Sequence, residues 1–314
     1  MITDRVLSNE TVERHRVVIV GSGFSGVGMA IKLKQQGEDS FVVLERESAL
    51  GGTWRDNTYP GAACDIQSHL YSFSFMPNPK WSRVYAPQGE ILDYIQDCAR
   101  EGGVMPHMRF DSELRSAEWD ESRRVWRIST SSGEYESEVL ISAAGHLSDP
   151  KYPAIDGIEE FSGTIFHSAR WDHDAQLEGK RIGVIGTGAS AIQIVPEMAK
   201  VAGQLTVFQR SAPYVVPRMD REYTGAEKSM FERLPETAKD LRRELFWSNE
   251  ARFPQRRGIE TFIDKVTSLA LGHLEEQVRD EGLRAKLTPD YSIGCKRILI
   301  SNVYFPTYLR DNVE

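Results

Sequence analysis

The chain has 314 residues and a formal net charge of −8, which suits about two domains of ~100–200 residues and argues against nucleic acid as a partner. Its three cysteines, Cys64, Cys98 and Cys295, are widely spaced with no C-x-x-C pair, which argues against a disulfide framework or a metal site and fits a reduced, cytoplasmic setting. No apolar run approaches the ~20 residues of a membrane span.

Residues 1–15 read as a polar lead-in with no signal peptide in view. Arg16–Val20 is then a short apolar strand running into Gly21-Ser22-Gly23-Phe24-Ser25-Gly26, with a helix expected from Phe24 to Gln36 and Gly37 as its stop. A second strand, Ser40–Leu44, ends at Glu45. In this β–turn–α–β unit Gly21 permits the tight turn, Gly23 lets backbone N–H groups approach a pyrophosphate, and Gly26 lets the helix pack on the strand. Glu45 is placed to accept hydrogen bonds from ribose hydroxyls.

The loop GGTWRDNTYPGAACD, Gly51–Asp65, follows directly. Long loops in compact domains are usually functional, and Asp65 is its candidate residue, against the plainer role of a turn cap. Residues 88–102 read as an amphipathic helix carrying Ile91, Leu92, Tyr94, Ile95 and Cys98, and Arg109–Ala144 as several short strands with a Ser131-Ser132-Gly133 turn. The proline-rich Ser148–Gly157 is expected to link domains.

A second cradle opens at strand Arg181–Ile185, with Gly186, Gly188 and Ala191 at the three glycine positions of the first. Its helix runs to about Val201, with Pro196 bending it or lying near its start, and a strand Leu205–Gln209 leads to Arg210. The same number of positions separates Gly21 from Glu45 and Gly186 from Arg210. An acid there favours free ribose hydroxyls, whereas an arginine can pair with a 2′-phosphate. The reversal points to FAD or NAD on the first unit and NADP on the second.

Residues 218–290 are highly charged, with apolar residues at helical spacing (Met230, Leu234; Leu241, Leu245; Leu269, Leu274). They read as a helical insertion, either covering a substrate cavity or lying clear of the chemistry, with Trp247 and the Phe253-Pro254 pair expected in its core. The tail carries Gly294-Cys295-Lys296-Arg297. The fold expected is α/β, with two Rossmann-like domains and a helical insertion: 1–147 for FAD, 148–217 and 291–314 for NADP, 218–290 inserted.

Between the cradles stands Phe161-x-Gly163-x-x-x-His167-x-x-x-Trp171-Asp172. This run resembles the fingerprint of Baeyer–Villiger monooxygenases, flavin enzymes that insert one oxygen atom of O2 beside a ketone carbonyl through a flavin peroxide. The Gly51–Asp65 loop, the Phe208–Pro213 stretch and GCKR resemble other blocks of that family. The resemblance implies FAD and NADP as cofactors. It implies that Gly21, Gly23, Phe24, Gly26 and Glu45 hold the FAD adenosine half, that Thr53, Trp54, Asp65 and Tyr71 lie along the flavin half, and that Leu114 packs at the adenine. Gly186, Thr187, Gly188, Ala189, Ser190, Ala191, Arg210, Ser211 and Lys296 would hold NADP. Arg297 would be the catalytic arginine with Asp65 beside it, and His167 would act at a hinge. Family members run beyond the equivalent of Glu314, so the resemblance also implies a chain lacking the C-terminal part that completes the flavin domain.

Three other readings stand beside this one. An N- or S-oxygenating flavin monooxygenase shares both cradles but usually lacks Trp-Asp at the end of the fingerprint; a thioether substrate is compatible with either enzyme. A flavin disulfide reductase needs a redox cysteine pair. A truncated nucleotide-binding remnant would do no chemistry.

Overall fold

A computed structural model describes residues 12–314; residues 1–11 of the expected lead-in lie outside the described residues, and its last three, Glu13–His15, belong instead to the first strand, where they pair with Tyr135–Ser137. Packing divides the chain into two units, one built from residues up to Asn57 with Ile91–Ala154, the other from Thr58–Glu90 with Ile155–Glu314.

The first unit contains strand β1 (Glu13–Val20), helix α1 (Phe24–Gln35), β2 (Phe41–Leu44), a short helix α2 (Thr53–Asp56), most of α3 (Gln88–Glu101), and strands β3 (Met108–Arg109), β4 (Leu114–Asp120), β5 (Val125–Thr130) and β6 (Glu134–Ser142). The strands form one sheet in the order β3-β2-β1-β6-β5-β4. The first four are parallel, and β6, β5 and β4 continue as an antiparallel meander. Val17, Val18 and Ile19 of β1 and all four residues of β2 are buried, the near-continuous apolar runs expected of strands covered on both faces. β4, by contrast, is charged and open to solvent on one side. Helix α1 stops where the sequence predicts, at Gly37, which takes φ +78° and donates its N–H to the Lys34 carbonyl.

The second unit contains β7 (Arg181–Ile185), α4 (Ala191–Val201), β8 (Gln204–Phe208), β9 (Val215–Val216), α5 (Gly225–Arg233), α6 (Pro235–Glu250), α7 (Phe253–Arg256), α8 (Glu260–Gln277), α9 (Glu281–Leu287), β10 (Leu299–Ile300) and α10 (Tyr304–Thr307). β7 and β8 are parallel and joined by α4. Pro196 lies inside α4 and is buried there, not at its start. The core of this unit gathers Ile192, Val195, Leu205, Leu274, Tyr304 and Phe305. β9 and β10 pair in parallel, Leu299 opposite Val215, and so bring together the two ends of the chain that flank the helical segment.

That helical segment starts with a capping box. Thr224 Oγ accepts from the Glu227 N–H, while the Glu227 carboxylate accepts from the Thr224 N–H. Arg221 pairs with the same carboxylate. The Arg221 guanidinium and the Thr224 N–H hold the Glu227 pKa down to about 2.

Burial in this segment departs from the sequence expectation. Trp247 is 63% exposed and Phe253 is also exposed. The reason is helical phase: Leu241 and Leu245 share the inward stripe of α6, and Trp247, two residues on, points about 200° away from Leu245. Leu274 is buried as its spacing suggests, but Met230, Leu234 and Leu269 are exposed. A cavity of about 460 Å³ lies in this region, lined by Val84, Tyr223, Phe231, Leu241 and Leu245 among others.

Candidate active site

In the first unit the glycine turn is shaped by backbone crowding. Gly21 has φ +100°, and a Cβ on it would stand 2.5 Å from the Ala143 carbonyl oxygen. A Cβ on Gly26 would lie 1.8 Å from the Gly21 oxygen, so the helix and the turn meet as the sequence predicts. Helix α1, which begins at Phe24, has Gly23 as its N-cap, with no side chain capping it and no acid in its first turn. A helix start with neither a capping side chain nor an acid in its first turn suits an anionic group at that end.

Glu45 directly follows β2 and is 5% exposed. Its Oε2 accepts from the Ser22 N–H (3.0 Å) and hydroxyl (2.6 Å), and its Oε1 from the Glu47 N–H (3.0 Å) with Arg55 at 3.2 Å. Burial alone would raise this carboxyl, but the Ser22 and Glu47 donors and the Arg55 charge hold it below the usual carboxylate range. The acid is therefore ionised and fixed, and a ribose hydroxyl would compete with Arg55 for Oε1. Thr53 and the buried Trp54 belong to α2, which the sequence reading took as loop. Leu114, at the start of β4, is half-buried beside the cluster of Val18, Leu44 and Ile128.

In the second unit the other cradle has a different character. Nothing lies within 4 Å of a Cβ built on Gly186 or on Gly188. The turn through Thr187, Ala189 and Ser190 to Ala191, the first residue of α4, is open at Gly188 and Ala189, and Ser190 makes no side-chain cap. Gly186 is required by its own backbone, at φ +113°, but neither crowding nor a positive φ calls for glycine at position 188; a phosphate approaching the backbone would. Arg210 is exposed just beyond β8 and makes no ion pair or hydrogen bond among the described residues. Thr187 donates its hydroxyl to the Ser211 carbonyl (3.0 Å), and Lys296 Nζ donates to Ser211 Oγ (2.5 Å) while lying 4.2 Å from the Tyr291 ring centre. Thr187 and Lys296, both predicted from the sequence, thus meet at Ser211, which directly follows the exposed Arg210 in the chain.

The same unit holds Asp65 and Arg297. Arg297 Nη2 donates to Asp65 Oδ2 at 2.5 Å, with side chains 59% and 23% exposed respectively. Asp65 reaches this position because its loop is tied down on either side. Tyr59 is buried and donates to Gln193 Oε1, Gln193 Nε2 donates to the Ala63 carbonyl, and the Cys64 N–H donates to Ala86. Tyr71 follows in a turn beginning at Gln67.

The fingerprint also lies in this unit. His167 Nδ1 accepts from the Ala169 N–H (3.0 Å) and caps a 3-10 turn over Ser168–Arg170. Burial, with the Arg170 charge adding to it, lowers its imidazole below the ordinary value. Trp171 packs edge-on to Phe166 and against the core beside Tyr59 and Val195. Asp172 accepts from the Asp174 N–H, Phe161 is exposed, and the Phe161 ring covers Gly163.

Sequence reasoning missed Ser22, Arg55 and Gln193. Ser22 occupies a variable position of a glycine motif, and Arg55 and Gln193 carry no spacing signal at all; their roles exist only after folding. Among the described residues no group of His, Cys, Asp and Glu is arranged to hold a metal ion.

A family profile described as "Flavin-binding monooxygenase-like" matches residues 14–243. A Baeyer-Villiger monooxygenase from Streptomyces coelicolor is 48% identical over 98% of this chain and 59% of its own length. One from Pseudomonas aeruginosa is 44% identical over 95% of this chain and 57% of its own. Among solved structures, an oxidized steroid monooxygenase bound to NADP matches with a TM-score of 0.83 and 35% identity, covering 96% of this chain and 65% of that one. The chain thus spans under two thirds of the length of these curated relatives.

Proposed function

We propose that this chain, which belongs to the flavin-binding monooxygenase-like family, is the nucleotide-binding and catalytic-arginine portion of an FAD- and NADPH-dependent Baeyer–Villiger monooxygenase. Its substrates would be a ketone and O2, and its product an ester or lactone. The carrying observation is the Arg297–Asp65 pair at 2.5 Å, on the same unit as the Lys296–Ser211 contact and Arg210.

Bound FAD would supply the redox and oxygen-activating chemistry, with NADPH as hydride source. The chain's own residues then have separable tasks. In the first unit the Gly21–Gly26 turn and the α1 N-terminus receive the FAD pyrophosphate, and ionised Glu45 faces ribose and repels a 2′-phosphate. In the second unit Arg210, Ser211 and Lys296 bind the NADP 2′-phosphate. Arg297 holds a fixed positive charge where negative charge develops on oxygen during the attack on a carbonyl. Asp65 orients that guanidinium and limits its motion, and Tyr71 is carried along on the same segment. His167, fixed as a turn cap, serves the hinge role. The three cysteines are free, with Cys64 and Cys98 buried and their thiols pushed up to about 12 and about 11 by burial, which leaves neither poised as a nucleophile at neutral pH.

The test is FAD reconstitution of a protein that carries this chain together with the C-terminal part its relatives have, followed by NADPH- and O2-dependent turnover with a ketone and with a thioether, the products identified by mass spectrometry. Flavin absorbance and an ester are expected. A sulfoxide with no ester supports a sulfur oxygenase instead, and a chain that takes up no flavin counts against the proposal.

A further inference from the structure

The turn that follows Asp65 is held by the helical segment at two points. On α6, Arg242 Nη1 donates to the carbonyls of His69 (2.7 Å), Leu70 (3.0 Å) and Ser72 (3.1 Å). These oxygens converge because the backbone from Gln67 to Ser72 curls as one helical turn, with the Leu70 and Tyr71 N–H groups both donating to the Gln67 carbonyl. A turn of this kind, with no helix continuing it, leaves carbonyls without partners. One guanidinium nitrogen faces three of them, its two N–H groups shared among the three acceptors in charge-assisted contacts. From the same turn the His69 ring, 3% exposed, inserts edge-on between Tyr223 (5.3 Å) and Phe231 (4.6 Å). Upstream, Cys64 and Ser68 are tied to the backbone of residues 83–86. Within the turn the Ser72 hydroxyl donates to the His69 carbonyl (3.2 Å); the side chain that reaches the carbonyls of Leu70 and Ser72 as well comes from the helical segment.

We propose that Arg242 is a positioning residue: by fixing the Gln67–Ser72 turn it sets Tyr71 and the approach of Asp65 to Arg297. The inference deepens the oxygenase reading and rests on it. It makes the helical segment part of the scaffold of the reacting groups, where the sequence left it as a cover or a bystander.

The test compares wild type with Arg242→Met, which keeps the length and removes every donor, in the FAD-reconstituted protein. Two readouts are taken: amide hydrogen exchange over residues 66–76, and ester formed per NADPH consumed. In Arg242→Met the exchange in the turn should rise by about tenfold or more, with β1 and α4 unchanged, and ester per NADPH should fall by about fivefold or more while NADPH consumption persists. Unchanged exchange in the turn overturns the clamp. Faster exchange with a wild-type ester yield overturns the positioning role and leaves a purely structural contact. If Arg242→Met does not fold, Arg242→Gln, which retains a donor for one carbonyl, carries the same readouts, and wild-type values for either overturn the proposal. A wild-type protein that takes up flavin and consumes NADPH but oxidises no ketone refutes the oxygenase reading itself, while the exchange arm still decides the clamp.

Discussion

Arg297 and Asp65 stand 232 positions apart in sequence and meet at 2.5 Å. With Arg297 more than half exposed, such a pair contributes only about 0–1 kcal/mol to folding. The fold therefore gains little from it, and its chemical role can be tested with little damage to the structure.

In a protein carrying the full C-terminal part, Arg297→Ala should leave the melting temperature within about 2 °C of wild type and flavin reduction by NADPH within about threefold. Ester formation should fall by about 100-fold or more, the loss typical of removing a fixed donor from a developing oxyanion. Stopped-flow reduction and product analysis measure the two steps separately. Ester formation at the wild-type rate would remove Arg297 from the mechanism.

For Arg210→Ala the expected loss is specific to one cofactor. A charge-assisted contact to a phosphate contributes about 1.5–3 kcal/mol, so the NADPH Kd should rise about 10–100-fold and that for NADH by less than about threefold. Equal weakening of both would mean that Arg210 does not read the 2′-phosphate.

The two glycine turns should respond oppositely to one added methyl. Gly26→Ala must push apart backbone atoms that would otherwise lie at 1.8 Å, at a cost of about 2–4 kcal/mol. Gly188→Ala meets no protein atom within 4 Å and should change stability by less than about 1 kcal/mol, yet weaken NADP⁺ binding about tenfold by crowding the phosphate. Thermal melts with and without NADP⁺ separate the two. Loss of stability in Gly188→Ala, with NADP⁺ binding intact, would contradict the cradle reading.

His69 should make stability depend on acid. Burial, reinforced by the Arg242 charge, lowers its pKa from 6.5 to about 4, so the unfolded chain takes up its proton first. The contribution is complete above pH 6.5 and drains away as pH falls to about 4, amounting to roughly 3 kcal/mol. Urea unfolding at pH 7 and pH 4.5 should show a smaller acid loss in His69→Leu than in wild type. Equal losses would show that His69 is not neutral in the fold.

The sequence announced what is local. The β–turn–α–β periodicities, the stop at Gly37 and the opposite charges of Glu45 and Arg210 all lie within short windows, and the structure has these elements where they were expected. Pairings across long separations were readable only by resemblance, as with Asp65 and Arg297, or not at all, as with the contacts of Gln193 and Arg242. A guanidinium that caps carbonyls far away in sequence leaves no periodic trace. Trp247 was misread for a related reason. Its size suggested a core, but its phase on α6 puts it opposite Leu245, and composition does not report phase.

The start of α5 has a practical consequence. Thr224, Glu227 and Arg221 satisfy one another within a few residues, so the signal to begin the helix travels with the segment itself. A chimera that borrows this portion from a relative should be spliced upstream of Arg221, where the graft brings its own nucleation with it. A seam between Arg221 and Glu227 would divide that signal between two parents.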